Sequence, residues 1–460
     1  MNKNIFRAYD IRGIADRELD DATVESIGKA YGTVLAEGRV SRVCVGRDVR
    51  LSSERISAAV IRGILSTGLD VVDVGMVPTP VLYFSIVHYG TGGGVMVTGS
   101  HNPIEFNGLK LNAFDGSVTS LYGDDILELR NRIEAGRFRD GQGRLEIKPI
   151  VPEYRSMLLE KIRLKRPFRI VIDAGNGTAG PIAPGVFEKL GCTVEKLYCD
   201  PDGRFPNHLP DPTVLKYIED LRQAVVKSGA DFGLGYDGDA DRIGLVDDTG
   251  RIVFADQILA LLARDVLSRL PGETIVFDVK CSQLLPEEIE RLGGKPLMWK
   301  TGHSLLKAKM KEMHAPLAGE MSGHIFFKDG YYGYDDGIYV SLRLAQILSG
   351  QPKKLSELVD ELPRFVSTPE IRIDCPDQEK FQIVEKMVQD FKKQYNVVEV
   401  DGARVLFGDG WGLVRASNTQ GLLVLRFEAK TEKRLAEIRE IFRKKLEQYP
   451  SVKVDQMPST

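Results

Sequence analysis

A strand–helix–glycine–strand pattern occurs three times along the chain, and it constrains the fold more than any other feature. Val43-Cys44-Val45-Gly46, Ile170-Val171-Ile172-Asp173 and Ile275-Val276-Phe277-Asp278 are short apolar runs that end in a small or acidic residue. Each leads into a helical pattern, at 52–65, 182–190 and 284–292, that stops at glycine. A second strand-like run follows in each case, at 71–74, 193–197 and 296–299. Strands alternating with helices make βαβ units and a mainly parallel sheet. Three copies of the unit predict three related α/β domains. In each copy a third run enters a polar loop: Val95-Met96-Val97 before Ser100, Phe232-Gly233-Leu234 before Asp237, Pro316-Leu317-Ala318 before Glu320. Open α/β sheets bind ligands beyond the carboxyl ends of their strands. The repeat therefore predicts three different sets of chemical groups delivered from equivalent positions.

The pattern changes near Leu362-Pro363-Arg364 and Pro369, which reads as a linker. From Glu370 the order is strand, helix (378–395), several strands (397–427) and helix (431–448), an α+β arrangement of a different kind. The expected architecture is α/β: three related domains with mixed, mainly parallel sheets, at 1–150, 151–254 and 255–365. A smaller α+β C-terminal domain, 366–460, joins them around a central cleft. A fourth domain on a short linker predicts hinge closure over a ligand. The opening segment, 6–13, reads as a donor-rich loop whose Arg12 pairs with a phosphate or with an internal carboxylate, and Met457-Pro458-Ser459-Thr460 reads as a frayed tail.

A formal net charge of −3 gives no reason to expect nucleic acid or an anionic membrane as partner. Five scattered cysteines without metal-ligand spacing point to reduced thiols and a cytoplasmic protein. The first residues lack the apolar stretch of a signal peptide, and no run approaches the ~18 apolar residues of a membrane span.

The polar loops carry the chemistry. Thr98-Gly99-Ser100-His101-Asn102-Pro103 presents a hydroxyl, an imidazole and an amide, with Pro103 biasing Asn102 away from helix. Asp237, Asp239 and Asp241 alternate across Gly238 and Ala240, and three carboxylates so close repel unless a hard cation neutralises them. An EF-hand loop is excluded because Arg242 stands where that loop needs glycine; a solvated acidic turn is the rival reading. Gly319-Glu320-Met321-Ser322-Gly323-His324 offers groups that match adjacent sugar hydroxyls. Arg415-Ala416-Ser417-Asn418-Thr419 is a compact set of donors suited to phosphate, or an ordinary turn beside an arginine. Two G-x-G-x-x-G matches occur. Gly233–Gly238 runs into carboxylates. The other, 175–180, follows a strand as a dinucleotide fingerprint would, but Pro181 and Pro184 crowd its helix start. It reads more readily as a tight turn, and no Walker A sequence is present.

Together the four loops resemble those of the α-D-phosphohexomutase superfamily, most closely its bacterial phosphomannomutase/phosphoglucomutase branch, in order and over essentially the whole chain. The resemblance implies three α/β domains and a distinct fourth. It also implies reversible transfer between hexose 1-phosphate and hexose 6-phosphate (mannose, glucose or both), through a 1,6-bisphosphate and a phosphoserine. It assigns Ser100 as the phosphoserine; Ser100, Asp237, Asp239 and Asp241 as Mg²⁺ ligands; and Arg242 to transition-state charge. Lys110, His324, Arg12 and His101 lie near the transferred group, with the general base open among His324, Lys110 and Arg12. Tyr9, His303, Glu320, Ser322, His324, Arg415, Ser417, Asn418 and Thr419 are assigned to the phosphosugar. Glucose 1,6-bisphosphate is the expected activator, and a monomer the expected state. Gly421 stands where the last loop usually has proline, which bears on its mobility and its phosphate affinity. Three alternatives remain: the related phosphoglucosamine mutase, a nicotinamide-dependent dehydrogenase built on 175–180, and a non-catalytic sugar-phosphate sensor, which the retained nucleophile, metal cluster and cradle disfavour.

Overall fold

The computed structural model describes residues 1–417 and 420–458. Its first three sheets repeat one local topology. Arg42–Arg47 lies between parallel neighbours Asp70–Met76 and Gly93–Val97. Arg169–Asp173 lies likewise between Thr193–Leu197 and Phe232–Tyr236, and Thr274–Asp278 between Lys295–Trp299 and Leu317–Gly319. The three glycines that end the crossover helices, Gly68, Gly191 and Gly293, have φ of 89°, 89° and 74°. Only glycine adopts that conformation without strain, so these positions stop each helix and turn the chain into the next strand.

After its third strand each sheet adds an antiparallel return: Phe106–Phe114 on Gly93–Val97, Ile243–Asp247 on Phe232–Tyr236, Ile325–Phe327 on Leu317–Gly319. Each polar loop is therefore the connection between a parallel strand and its antiparallel return. Both stems of the loop are buried strands, which holds its side chains on a rigid base.

Two sequence-based expectations change. Ile11–Ile14, expected to belong to a loop, is a strand pairing antiparallel with Phe106–Phe114. Its pairing carries Tyr9, Asp10 and Arg12 to the edge that bears the Ser100 loop. The C-terminal tail is docked as far as it is described. Met457 is 2% exposed within the fourth domain's core, and its carbonyl accepts from Arg443.

The fourth sheet is antiparallel, with helices Lys380–Lys392 and Glu432–Leu446 joining its apolar core. Val366–Ser367, within the expected linker region, already pairs with Leu422–Ala429 of this sheet. One apolar cluster runs continuously through the first three sheets, from Cys44 and Tyr83 through Ile170 and Leu234 to Phe277 and Ile338. The fourth sheet has a core of its own and meets the third domain through Val279, Trp411 and Leu413. All five cysteines are free thiols. No helix among the described residues is long and apolar enough to cross a membrane.

Candidate active site

Ser100 sits at φ 47°, a left-handed conformation uncommon for a residue with a Cβ. A mould of buried groups holds it there. Asp48 accepts from Thr98 Oγ1 at 2.8 Å and from the Gly99 amide at 3.0 Å. The Arg50 guanidinium, its side chain 1% exposed, donates to the carbonyls of Ser100, Asn102, Pro103 and Phe106 at 2.5–3.0 Å. A Cβ at Gly99 would collide with that guanidinium, which explains the glycine. Asp48 and Arg50 were not singled out in the sequence, where the apolar run ends at Gly46.

So held, Ser100 Oγ donates to Asp237 Oδ2 at 2.8 Å and lies 3.0 Å from His101 Nδ1. Asp237, Asp239 and Asp241 are all buried, with ligand atoms within 4.8 Å of one another. Lys110, on the return strand, donates to Asp239 at 2.7 Å and to Asp241 at 2.5 Å, and Thr79 Oγ1 also donates to Asp239. Oδ1 of Asp239 and Oδ1 of Asp241 remain buried without a hydrogen-bond partner. A buried carboxylate oxygen left unpaired is costly. One ammonium cannot neutralise three carboxylates, so an all-oxygen donor set with two orphaned oxygens fits a hard divalent cation.

The electrostatics agree. Burial and the charges of Asp241 and Asp239 push Asp237 well above the usual carboxylate range. Burial acts the same way on Asp239, but the Lys110 ammonium outweighs it and holds that carboxyl low. Burial, with Arg242 and Arg12 nearby, keeps His101 well below the ordinary imidazole range. Neutral His101 can thus donate its Nδ1–H to Ser100 Oγ, whose own proton goes to Asp237, without adding charge.

The second and third domains meet at Arg242 and His324. Arg242 Nε donates to His324 Nε2 at 2.9 Å, and His324 Nδ1 lies 2.8 Å from Asp335. With Nε2 as acceptor, the ring proton resides on Nδ1 and points at Asp335. His303 stacks on His324 with centroids 5.3 Å apart. Burial, with Lys307 alongside, holds His303 well below its ordinary range. Glu320 accepts from the Gly302 amide and from Ser322 Oγ, each at 2.7 Å.

Of its two expected partners Arg12 meets the internal carboxylate, donating to Asp10 at 2.6 Å, and it also donates at 3.2 Å to Asn102 Oδ1 in the Ser100 loop. Tyr9 Oη donates to the Thr301 carbonyl at 3.2 Å. Arg415 Nε donates to Asp401 at 2.9 Å. Ser417 Oγ accepts from the Gln420 amide. Asn418 and Thr419 lie outside the described residues. Lys280 is a further candidate that sequence reasoning missed. It is buried, it feels the like charge of Arg415, and Glu370 at 3.2 Å holds it protonated against burial and that repulsion. Two cations near enough to feel each other's charge are what an anion cradle needs. No sequence motif marked Lys280, because its neighbours come from the fourth domain.

The glycine loop at 175–180 packs inward. A Cβ at Gly177 would meet Gly238, whose carbonyl accepts from both the amide and the hydroxyl of Thr178. Gly180 lies against the Cys199 backbone. The glycines let this loop brace the aspartate loop, and the helix behind it, Ala183–Lys189, spans only 7 residues. The space a pyrophosphate would need is occupied by backbone.

Four domain profiles of one family match in order. Phosphoglucomutase/phosphomannomutase alpha/beta/alpha domains I, II and III match 3–139, 152–250 and 254–365, and the family's C-terminal domain matches 370–445. The chain is 47% identical over 445 residues to a phosphomannomutase/phosphoglucomutase of Pseudomonas aeruginosa, covering 96% of this chain and 95% of that protein. It is 44% identical over 455 residues to a phosphoglucomutase of Neisseria meningitidis, covering 98% of both. A solved phosphoglucomutase/phosphomannomutase family protein from Burkholderia thailandensis superposes with a TM-score of 0.91 at 43% identity, over 97% of this chain and 98% of that one. With four loops converging from four domains and profiles matched from end to end, the chain belongs to the phosphoglucomutase/phosphomannomutase family.

Proposed function

We propose that the chain interconverts hexose 1-phosphate and hexose 6-phosphate, mannose or glucose, with Ser100 as the phosphoryl carrier. The observation that carries this reading is the Ser100–Asp237 hydrogen bond beside two buried, unpartnered carboxylate oxygens. Asp237, Asp239 and Asp241, with a phosphate on Ser100, would hold Mg²⁺. When bound, the cation neutralises charge on the transferring phosphoryl group.

The chain's own groups do the rest. Glu320 and Ser322 orient the sugar hydroxyls, and His303 supports the imidazole of His324. Arg415, Lys280, Ser417, Asn418 and Thr419 take the remote phosphate. Arg12 and His101 lie beside Ser100, Lys110 keeps Asp239 ionised, and Tyr9 closes the sugar side through Thr301.

Arg242 is the group placed to meet charge on the transferring phosphoryl oxygens. Its move toward them takes its Nε off His324 Nε2, which becomes the free acceptor for the sugar hydroxyl proton. Asp335 steadies the imidazolium that forms. Lys110 and Arg12 are both committed to carboxylates, so His324 is our choice of base. The 1,6-bisphosphate then turns, and its other phosphate returns to Ser100. Added glucose 1,6-bisphosphate activates the enzyme by phosphorylating Ser100.

³¹P spectra with Mg²⁺ and a trace of glucose 1,6-bisphosphate test this on mannose, glucose and glucosamine 1-phosphates. Conversion of the first two to 6-phosphates is expected, falling roughly 10³-fold or more in Ser100→Ala. Turnover confined to the glucosamine ester would overturn the substrate assignment, and an active Ser100→Ala would overturn the mechanism.

A further inference from the structure

Thr301 is the point where three domains are joined, and each of its polar groups is held by a different one. Its carbonyl accepts from Tyr9 Oη of the first domain at 3.2 Å. Its hydroxyl donates to Asp278 of the third domain at 3.1 Å. Its amide donates to Asp401 Oδ2 of the fourth domain, also at 3.1 Å. The same Asp401 oxygen accepts from Arg415 Nε at 2.9 Å. The residue after Thr301 donates its amide to Glu320 at 2.7 Å. One carboxylate oxygen thus connects the arginine of the phosphate cradle to the backbone that positions the sugar-binding carboxylate.

Asp401 stands on the turn between Asn396–Val398 and Ala403–Leu406, at the edge of the fourth sheet. Its side chain is 15% exposed, and Arg415 is 8% exposed. Charge-assisted hydrogen bonds in such partly desolvated places are strong. A guanidinium anchored through Nε has its opposite edge set in a fixed plane, the edge that matches phosphate oxygens in pairs. A neutral or displaced residue at 401 would leave Arg415 without that anchor and Thr301 without its link to the fourth domain.

We propose that Asp401 is a positioning residue that couples the phosphate cradle to the sugar loop, so that both grip the substrate together. This rests on the proposed mutase reading. A mutase has a specific need for such coupling. Its bisphosphate intermediate must release the sugar loop to turn while the closed fourth domain still retains it. With Thr301 tied to Asp401, the sugar loop and the cradle settle as one unit after the turn. Without the tie, each end binds alone, and the intermediate escapes more often before its second phosphoryl transfer.

The test uses the full chain with Mg²⁺ and glucose 1-phosphate, as wild type, Asp401→Asn, Asp401→Ala, Arg415→Lys and Asp401→Ala combined with Arg415→Lys. Two quantities are read: the kcat and KM pair, and the ratio of glucose 1,6-bisphosphate released to glucose 6-phosphate formed. The ratio is independent of how much of a preparation is folded. Asp401→Ala should raise KM about ten-fold, the effect of losing one charge-assisted hydrogen bond, and should raise the release ratio by a similar factor. Asp401→Asn keeps an acceptor for the Thr301 amide and should shift both quantities less, so it carries the test if the alanine variant fails to fold. In the Arg415→Lys background the alanine change should add less than about two-fold. A release ratio within about two-fold of wild type in both Asp401 variants, or full additivity with Arg415→Lys, overturns the proposal. A wild-type chain that turns over no phosphosugar overturns the mutase reading beneath it. The two failures are told apart by which chain is silent.

Discussion

Lys110 shows how a single side chain can stand in for part of a cation. Its ammonium faces Asp239 and Asp241 from a buried position, and those carboxylates hold it well above the ordinary lysine range against the effect of burial. Removing one member of a buried ion pair costs roughly 3–5 kcal/mol because the partner charge remains. Lys110→Met should therefore lower the melting temperature strongly in chelator, and Mg²⁺ should recover more stability in the variant than in wild type. Equal Mg²⁺-induced shifts in the two proteins would show that Lys110 and the cation do not share these carboxylates. At the same scale, Ser100 was legible from its company of motifs, whereas its left-handed backbone was not. Nothing in Thr98-Gly99-Ser100 specifies φ, and the conformation is imposed by Asp48 and Arg50 from the connection that follows Arg42–Arg47.

Among the elements, the three return strands matter most. Each polar loop is pinned at both stems, and the Ser100 loop is pinned again by Arg50 at five carbonyls. A lysine at that position has three donors on one point charge and cannot reproduce a planar fork. Arg50→Lys is thus expected to lower kcat about 10²-fold, since small misplacements of a reacting group have costs of that order. KM for the phosphosugar should change little, because the sugar loop and cradle are built elsewhere. Steady-state kinetics on the purified variant decide it, and an unchanged kcat would dismiss the collar as scaffolding. The parallel strands and their helices were readable from apolar runs and terminal glycines. Ile11–Ile14 and the return strand Ile325–Phe327 were not, because a short strand at a sheet edge has no periodic pattern long enough to distinguish it from a loop.

At the scale of the whole molecule, three domains share one apolar core while the fourth is attached mainly through buried polar groups. Arg404 stacks on Trp411 at 3.7 Å and donates to the carbonyls of Val279 and Cys281, both at 2.7 Å. Trp411 Nε1 and the Gln283 amide both donate to Glu428 at 2.8 Å. Such an interface separates more readily than an apolar one, which agrees with the hinge closure expected of the fourth domain. Its pH dependence follows from Glu370, whose carboxyl the Lys280 ammonium lowers from 4.5 to about 2. A carboxyl lowered on folding stabilises the folded state fully above its unfolded value, and that stability is lost as pH falls toward the folded one. The Lys280–Glu370 contact should thus contribute about 2–3 kcal/mol at neutral pH and fade between about pH 4.5 and 2. Denaturant unfolding of wild type and Glu370→Gln across that range should show their difference shrinking with acid. A difference that stays constant would place the origin of the effect elsewhere.

Taken alone, the sequence determined the three α/β repeats, the separate fourth domain and the chemistry of each loop. Periodicity, helix-ending glycines and clusters of unlike polar residues are local properties, written within a few residues of one another. Tertiary structure alone decided which groups meet. The hydrogen bonds of Lys110 to Asp239 and Asp241 cross 129 and 131 residues, that of Arg12 to Asn102 crosses 90, and that of Thr301 to Asp401 crosses 100. Lys280, Asp48, Arg50, Asp335 and Asp401 carry no local signature, because each owes its role to a partner brought by another strand or domain. Burial gives those pairings their strength, and burial is a property of the assembled fold.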